Sequence, residues 1–504
     1  MNRLTRRDFI RGLTAAAAYI GFSVRSPSHG SAPRARASPR LVFDGRGSSK
    51  VLGANDDIRL AIVGLRKKGK EHIDIFGKMP GVRIVALCDV DTQFLDLEAK
   101  QFKDRNEKVA VYVDYRKLLD EKDIDAVVIV TPDHWHALMT VWACQAGKDV
   151  YVEKPLSHNI WEGRKMVEAA RKYNRIVQTG SQDRSDVGLQ AAVAYIKQGN
   201  LGSIKLVRAI SYNLRESIGK VNGPQAIPES IDYNLFQGPA PLVPLMRKNL
   251  HYDWHWFWDT GTGEVGNLGG HNVDESRWVI GQQAIAPKAI SIGGRIGLDD
   301  DGQTPNTQIT FFDYEPVPIV YEVRGLRRRK DLRADDHYRG TNFGMVVQCE
   351  QGYFRGGRGG GWAYDNNHKR LKQFPGDGGI EHQDNFIRAM RSRKVSDLRA
   401  DVLEGHISAA LCHMANISYR LGRKLPVEKI KEVIAGNSIL EESFESCLVH
   451  LKANEVDLRK EPLTIGPSLT FEQTCEKFVG EFSDWANMFL RRNYRGPFVV
   501  PENV

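Results

Sequence analysis

The chain contains few of the residues from which disulfide frameworks and metal centres are built. Its 504 residues include six cysteines, and none of them belongs to a Cys-x-x-Cys pair. We therefore expect mostly free, buried thiols and no cysteine-ligated zinc site. His251 and His255 have the spacing of a metal-binding pair on a helix. No third ligand accompanies them at a convincing spacing, so no metal is predicted.

Long apolar runs and dense basic stripes are also missing. After residue 37 no segment is long and apolar enough to cross a bilayer, so no membrane span is predicted. The formal net charge is +9, but seven arginines and one aspartate within residues 1–37 account for six of these charges. No stretch interleaves lysine or arginine with aromatic residues in the way that nucleic-acid-binding surfaces do. The sequence therefore predicts no nucleic-acid partner.

The first 37 residues have the pattern of an export signal. Arg6 and Arg7 precede an uncharged, alanine-rich run, and Ala35 and Ala37 are small residues at the spacing that signal peptidase accepts. This pattern predicts a twin-arginine signal peptide over residues 1–37, recognised by the twin-arginine translocase, and a linker or arm over residues 38–57. We expect a periplasmic or otherwise exported protein. Because this route carries folded proteins, we also expect a tightly bound cofactor acquired in the cytoplasm.

From residue 58 onward, short apolar strands alternate with helices. This alternation predicts a doubly wound parallel sheet, a Rossmann domain, over residues 58–180. The predicted strands are 58–63, 82–88, 109–111, 125–130, 149–152 and 176–178. Strand-like runs at wider spacing then predict an α+β domain with a large, mostly antiparallel open sheet over residues 181–425. Residues 426–504 are expected to form a C-terminal helical extension that includes a helix over 471–490.

The first strand is followed by an incomplete dinucleotide-binding fingerprint. Gly64 and Gly69 occupy its first and third glycine positions, with Leu65 between strand and helix, but Arg66 replaces the second glycine. That glycine normally lets the backbone approach the pyrophosphate. Either Arg66 places its guanidinium on the phosphates, or cofactor binding is weakened or lost. Asp89 ends the second strand, where its carboxylate can accept hydrogen bonds from the ribose hydroxyls and would repel a 2′-phosphate. NAD is therefore expected in preference to NADP.

Two further motifs follow the fourth and fifth predicted strands. They read Thr131-Pro132-Asp133-His134-Trp135-His136 and Glu153-Lys154-Pro155. Together with Asp114-Tyr115, they resemble the glucose–fructose oxidoreductase/inositol dehydrogenase/rhizopine-catabolism (Gfo/Idh/MocA) family over about residues 58–425. The resemblance implies an NAD(P)-dependent oxidoreductase that acts on CH–OH groups, and by analogy a homodimer or homotetramer.

The resemblance also implies roles for single residues. Lys154 inherits a place beside the nicotinamide and the substrate hydroxyl, where a neighbouring cationic ring would lower its pKa toward useful acid–base chemistry. Arg184 inherits an approach to the substrate. Further cofactor contacts are implied at Thr131, Pro132, His134, His136, Glu153 and Gln182.

The family's second catalytic segment, an aspartate followed four residues later by a histidine, matches Asn267 and His271 here. An amide cannot relay a proton, although it can bind a sugar hydroxyl, so proton transfer falls to His271 or Lys154. Asp274 follows His271 by three residues and is expected to share its helix face and orient it. The alternative is a polar cluster that caps a helix at the domain interface.

The segment before this one is rich in aromatic residues, and Trp254 and Trp256 are expected to stack on the apolar face of a sugar ring. We therefore expect an exported, NAD-dependent oxidoreductase that removes hydride from a sugar, glycoside or polyol hydroxyl. A redox-neutral NAD-dependent glycosidase of the same fold is one alternative. A non-catalytic sugar-binding relative is another, and Arg66 and Asn267 are the two features that favour it.

Overall fold

The structure is a computed structural model that describes residues 57–504. The predicted signal peptide, residues 1–37, and all but the last residue of the predicted arm lie outside the described residues. No helix within residues 57–504 is long and apolar enough to span a membrane. The six cysteines are free, and five of them are buried.

The first sheet has six parallel strands in the order 3-2-1-4-5-6, which confirms the predicted doubly wound topology. Its central strands are almost wholly buried, which explains why their residues are mostly apolar. The strands are β1 Ile58–Val63, β2 Val82–Cys88, β3 Ala110–Tyr112, β4 Ala126–Ile129, β5 Asp149–Val152 and β6 Val177–Thr179. The helices that cover the sheet are α1 Lys67–Phe76, α2 Thr92–Asp104, α3 Tyr115–Leu119, α4 Asp133–Gln145 and α5 Ile160–Lys172.

The second sheet has twelve strands and is antiparallel except where Ile204–Tyr212 pairs with Ile319–Arg324, which confirms the predicted large, mostly antiparallel sheet. Its longer strands are β7 Ile204–Tyr212, β8 Lys288–Gly294, β9 Thr307–Phe312, β10 Ile319–Arg324, β11 Phe343–Cys349, β12 Gly352–Gly357, β13 Gly360–Asp365 and β14 Arg370–Pro375. Four short strands complete it: β15 Arg423–Lys424, β16 Thr464–Ile465, β17 Leu469–Glu472 and β18 Lys477–Val479.

Two long helices link the two sheets. The first, Gly263–Ile280, packs on strand β7 of the second sheet. The second, Val402–Arg420, packs on the first helix, on β8 of the second sheet and on α5 of the first domain. These are α8 and α10 in the series α6 Val187–Lys197, α7 Tyr233–Gln237, α8 Gly263–Ile280, α9 His382–Ser392, α10 Val402–Arg420, α11 Val427–Ile434, α12 Ser438–Ala453 and α13 Ser483–Asn487. Helix α8 also approaches the residues that follow β5, since a Cβ atom at Gly270 would lie 3.2 Å from the Cβ atom of Lys154.

Two later segments of the chain pack across the predicted domain boundaries at residues 181 and 425. Helix α9 returns to the first domain, where Phe386 and Met390 are buried in the same core as Ile62 and Phe76. The expected helical extension after residue 425 also contains strands β16 to β18, which join the large sheet. The helix expected over 471–490 is replaced by β17, β18 and the short α13. Burial alternates along β17, a period of two that a helix cannot satisfy.

Candidate active site

A cavity of about 640 Å³ lies along the carboxyl ends of β1, β2, β4 and β5 and extends to helix α8. Ligands of doubly wound folds bind at this edge, where the strand order reverses. The strand ends contribute Gly64, Asp89, Thr131 and Lys154, and helix α8 contributes Asn267 and His271. The parallel topology thus brings together residues that are far apart in the sequence.

At one end of the cavity, the turn after β1 is built for close backbone contact. Gly64 has φ +87°, and a Cβ atom there would lie 2.6 Å from the carbonyl oxygen of Val130. A Cβ atom at Gly69 would lie 1.9 Å from the carbonyl oxygen of Gly64. Helix α1 begins directly after Arg66, without a capping side chain or an acidic residue in its first turn. Its free backbone N–H groups therefore fit the pyrophosphate of a dinucleotide.

Arg66 leaves this turn and lies over the ring of Phe94, with its guanidinium carbon 4.4 Å from the ring centroid. Its side chain lines the cavity on the side of β2. Asp89, at the end of β2, accepts hydrogen bonds from the backbone N–H groups of Leu65 at 2.8 Å and Asp91 at 3.0 Å. Burial raises the pKa of Asp89 to about 6. Asp89 therefore holds the turn in place while it faces the cavity.

The Thr-Pro-x-His-x-His motif divides into two parts. Thr131 and Pro132 line the cavity, whereas His134 and His136 do not. The ring nitrogens of His136 lie 2.8 Å from the carbonyl oxygens of Pro155 and Thr131, so this side chain ties two cavity loops together. His134 contacts the carbonyl oxygen of Phe236, and burial lowers the pKa of its ring to about 3. Both histidines support the loops rather than touch the cavity.

Glu153 and Gln182 both line the cavity and contact each other. An oxygen of Glu153 lies 2.9 Å from Nε2 of His72, a buried residue of α1 that the sequence motifs do not single out. Burial opposes ionisation of Glu153, but the hydrogen bond and charge of His72 hold the pKa of this carboxyl well below its usual value. A buried carboxylate therefore lies next to Lys154.

Lys154 reaches across the cavity to helix α8. Its Nζ atom donates to the carbonyl oxygen of Asn267 at 2.8 Å and to the side-chain oxygen of the same residue at 3.0 Å. The amide nitrogen of Asn267 faces Glu264, which fixes which end of the amide meets the lysine. Desolvation by burial lowers the pKa of Lys154. Because Asn267 is neutral, it does not offset this lowering of the pKa as a carboxylate at position 267 would.

The partner of His271 is Asp183, in the turn Gln182–Ser185 that follows β6. The Nδ1 atom of His271 lies 2.8 Å from Oδ2 of Asp183, which is buried. Burial opposes ionisation of Asp183, but the charge of His271 lowers the pKa of this carboxyl. Glu275 lies beside it, and burial together with the charge of Asp183 raises the pKa of Glu275 well above its usual value. Two buried carboxyl groups therefore lie side by side next to His271.

Asp274 does not orient His271, contrary to expectation. Its carboxylate accepts two hydrogen bonds from Arg184, at 2.7 and 2.9 Å, and one from Ser408 at 2.6 Å. A step of three residues turns an α-helix by about 300°, which leaves Asp274 about 60° around the axis from His271. His271 consequently faces the cavity and Asp274 faces the interior. Arg184 also pairs with Glu404 and lies outside the cavity, so it is not placed to touch a substrate there.

The aromatic segment is only partly at the site. Trp254 lines the cavity and stacks on His255 with their ring centroids 3.6 Å apart, whereas Trp256 is buried elsewhere. His251 contacts Asp91 and His255 contacts a backbone carbonyl, so the two histidines do not converge. No group of three or more histidine, cysteine or acidic residues in the described part of the chain could hold a metal ion.

Arg358 is a cavity residue that motif reasoning did not identify. It lies at the turn between β12 and β13 and extends over the end of the cavity that contains His271 and Gln182. The only sequence signal is its place as the single charged residue in the run Gly356-Gly357-Arg358-Gly359-Gly360-Gly361. A glycine run with one arginine is consistent with a tight turn that presents one side chain.

These elements together define a dinucleotide-binding oxidoreductase fold with a second α/β domain. Residues 58–181 match the family model described as "Oxidoreductase family, NAD-binding Rossmann fold", and residues 204–329 match its companion, "Oxidoreductase family, C-terminal alpha/beta domain". The chain belongs to the Gfo/Idh/MocA family.

Solved structures share this fold at low sequence identity. The WlbA dehydrogenase of Bordetella pertussis, in complex with NADH and UDP-GlcNAcA, is 19% identical, with a TM-score of 0.53 over 72% of this chain and 97% of that one. An oxidoreductase of Agrobacterium radiobacter in complex with NAD⁺, L-tartaric acid and magnesium is 15% identical, with a TM-score of 0.54 over 71% of this chain and 95% of that one. The likeness shows a common fold.

Curated relatives match over a shorter region. A glycosyl hydrolase family 109 protein of Shewanella pealeana is 32% identical over 178 residues. An α-N-acetylgalactosaminidase of Shewanella oneidensis is 27% identical over 180 residues. Each match covers 34% of this chain and 38% of the relative, so the chain spans well under half the length of the curated relatives that it matches.

Proposed function

We propose that this protein uses NAD to oxidise a hydroxyl group of a sugar, glycoside or polyol. The observation that carries the proposal is the position of Lys154, whose Nζ atom is held by Asn267 inside the cavity that also contains Gly64, Asp89 and His271. The uncapped start of α1 and the turn at Gly64 fit a dinucleotide, and Asp89 favours NAD over NADP because a carboxylate repels a 2′-phosphate.

In the proposed reaction, Lys154 takes the proton of the substrate hydroxyl while hydride leaves the carbon that bears this hydroxyl. Bound NAD supplies the hydride acceptor, C4 of its nicotinamide. Desolvation lowers the pKa of Lys154, which increases the fraction of neutral amine able to act as base near neutral pH. Asn267 positions the Nζ atom. His271, whose other ring nitrogen contacts Asp183, donates a hydrogen bond to the substrate oxygen or accepts one from it.

We further propose that the protein is exported by the twin-arginine route with its cofactor already bound. The support is the arginine pair and alanine-rich run within residues 1–37. Because no pool of free NAD exists outside the cytoplasm, the cofactor has to be reset within the site, for example by reduction of a second sugar. The expected homodimer or homotetramer stays a prediction that analytical ultracentrifugation would test.

The first experiment is to denature protein purified without added cofactor and to identify the released nucleotide by absorbance and mass spectrometry. Near-stoichiometric NAD or NADH supports the proposal. A sugar screen that follows the bound nicotinamide would then identify substrates. A protein that is empty and also refuses added NAD and NADP would overturn the enzyme proposals and leave a sugar-binding protein.

A redox-neutral glycosidase is the second candidate, and the glycosyl hydrolase family 109 names of the curated relatives favour it. Here the same Lys154 step oxidises a hydroxyl and so acidifies the neighbouring C–H. Loss of that proton expels the aglycone, water adds, and the hydride returns. Holoenzyme incubated with an aryl α-N-acetylgalactosaminide in deuterium oxide would then release the phenol, place deuterium in the sugar and form no net NADH. Net NADH without phenol release would instead support the dehydrogenase.

A further inference from the structure

Arg358 lies at the tip of a hairpin in which all its neighbours are glycines. Strands β12 and β13 pair up to Gly357 and Gly360, so only Arg358 and Gly359 form the turn. Gly359 has φ +95° and Gly360 has φ +88°, and a Cβ atom at Gly360 would lie 1.8 Å from the carbonyl oxygen of Phe374. Larger residues would therefore push the tip away from the body of the protein. The glycines allow close docking, and the arginine is the only side chain that the turn presents.

The tip is anchored by a buried carboxylate. Asp186, at the start of α6, accepts hydrogen bonds from the backbone N–H groups of Gly359 at 2.9 Å and Gly378 at 2.6 Å. The Nε atom of Arg358 in turn donates to the carbonyl oxygen of Gly378 at 2.8 Å. Asp186 thus holds the backbone of the turn, and the loop at Gly378 holds the inner edge of the guanidinium. This arrangement fixes the arginine before any ligand arrives.

The outer edge of the guanidinium remains available. Within residues 57–504 its two terminal nitrogens make no hydrogen bond, and the side chain is 42% exposed where it lines the cavity. Its nearest carboxylate is Asp183, 3.7 Å from Nε, and His271 contacts the same carboxylate. Glu275 lies beside Asp183, and burial together with the charge of Asp183 raises the pKa of Glu275 well above its usual value. Arg358 is therefore only partly neutralised.

We propose that Arg358 binds a carboxylate on the substrate, so that the substrate class is an acidic sugar such as a uronic acid. The two free nitrogens form a planar fork that matches two carboxylate oxygens, and this geometry is specific to arginine. Asp183 contacts both Arg358 and His271, and His271 is the residue proposed to contact the substrate oxygen, so the fork lies near the proposed substrate position. This inference rests on the proposed oxidation of a sugar hydroxyl and narrows its substrate.

The test compares matched acidic and neutral sugars on the holoenzyme. Glucuronate with glucose, and galacturonate with galactose, form pairs that differ at one carbon, and glucose 6-phosphate tests a phosphate source. Binding is measured by the fluorescence of bound NADH and by calorimetry, without turnover. We expect the acid of at least one pair to bind roughly 10- to 100-fold more tightly than its neutral partner.

Variants decide whether Arg358 causes that preference. Arg358→Gln should abolish this preference in protein that still retains NAD, and Arg358→Lys should restore only part of it. Arg355→Gln is the matched control, because Arg355 lies on the same hairpin and bonds to Tyr364 instead. A preference that survives Arg358→Gln would overturn the inference, as would tighter binding of the phosphate than of either acid.

Different results would contradict the acidic-substrate inference and the proposed sugar oxidation. Neutral sugars that bind and are oxidised with no preference for acids would overturn the acidic-substrate inference alone. A protein that retains NAD but binds no sugar of any pair would count against the proposed function as well.

Discussion

His271 is paired with Asp183, whose Oδ2 atom lies 2.8 Å from its Nδ1 atom, and not with Asp274 on its own helix. Asp183 is buried, and it follows the last strand of the first sheet, whereas His271 belongs to the helix that joins the second domain. This contact therefore connects the two domains at the cavity. It also leaves Nε2 of His271 as the ring nitrogen able to reach a ligand.

Asp183→Asn should impair proton transfer more than substrate binding. An amide cannot match the charge-assisted contact with His271, so kcat should fall roughly 10- to 100-fold with a smaller change in KM. Steady-state kinetics would measure kcat and KM separately. Asp384→Asn on α9 is the control, because Asp384 pairs with the exposed Arg388. A kcat that does not fall would contradict the positioning role.

Asn267→Asp should move the pH dependence of the reaction to higher pH. A carboxylate next to Nζ would favour the charged ammonium, so the pKa of Lys154 should rise. The neutral base would then form only at higher pH, and the rising limb of kcat against pH should shift in the alkaline direction. Lys154→Met is the reference variant and should lose roughly 10²- to 10⁴-fold in kcat at every pH. A profile that does not move on Asn267→Asp would show that another group is the base.

Most of the cavity could be predicted from sequence because strand ends are local features. Gly64, Asp89 and Lys154 each follow a short apolar strand, and parallel topology brings such positions to one edge of the sheet. Contacts between distant segments were not accessible in this way. The partners of His271 and Asp274 lie on a turn after β6, and no periodicity in α8 indicates which of the two faces the cavity.

The C-terminal region was mispredicted for a related reason. Residues 471–490 contain enough aromatic and charged residues to resemble an amphipathic helix, but pairing of Leu469 with Ala289 draws the chain onto the edge of the large sheet. Tertiary pairing thus overrides local propensity. Arg358 was missed because a glycine-rich turn carries no motif, and its place over the cavity depends on the distant Asp186.

The affinity for NAD should depend on pH through Asp89. Ribose hydroxyls donate to the ionised carboxylate, so the pKa of Asp89 in the complex should lie below the value of about 6 in the free protein. By linkage, affinity should then increase with pH until about pH 6 and stay constant above it. Titration of protein stripped of nucleotide, from about pH 5 to 8, would measure this. Asp89→Asn should bind NAD more weakly and with no such dependence. Constant affinity of the unsubstituted protein from pH 5 to 7 would contradict the assignment.

Arg66→Ala tests whether the arginine compensates for the missing fingerprint glycine. If the guanidinium contacts the pyrophosphate, affinity for NAD should fall roughly tenfold or more, and binding of adenosine, which has no phosphate, should not change. Arg66→Gly restores the glycine and should recover part of that loss. Lys70→Ala, an exposed substitution on α1, is the control. Tighter binding of NAD by Arg66→Gly than by the unsubstituted protein would show that Arg66 obstructs the site instead.

The ion pair between Arg184 and Asp274 should govern stability and not substrate binding. Both side chains are almost fully buried, and Asp274→Asn would leave the charges of Arg184 and Arg277 without this carboxylate. The free energy of unfolding should therefore fall by about 3–5 kcal/mol, measured by denaturant titration. The folded fraction should retain NAD and bind substrate as before.

The pH dependence of that loss follows from the same contact. Burial opposes ionisation of Asp274, but the charge of Arg184 lowers the pKa of this carboxyl in the folded protein. Its stabilising contribution is thus present above the unfolded-state value of about 3.9 and is lost as the pH falls through the lower, folded-state value. The stability difference between Asp274→Asn and the unsubstituted protein should accordingly shrink below about pH 4.

A double replacement, Arg184→Met with Asp274→Leu, should recover much of the stability, because apolar residues remove both buried charges together. A double variant that instead loses substrate binding while stable would restore Arg184 to the substrate role that its sequence position indicates.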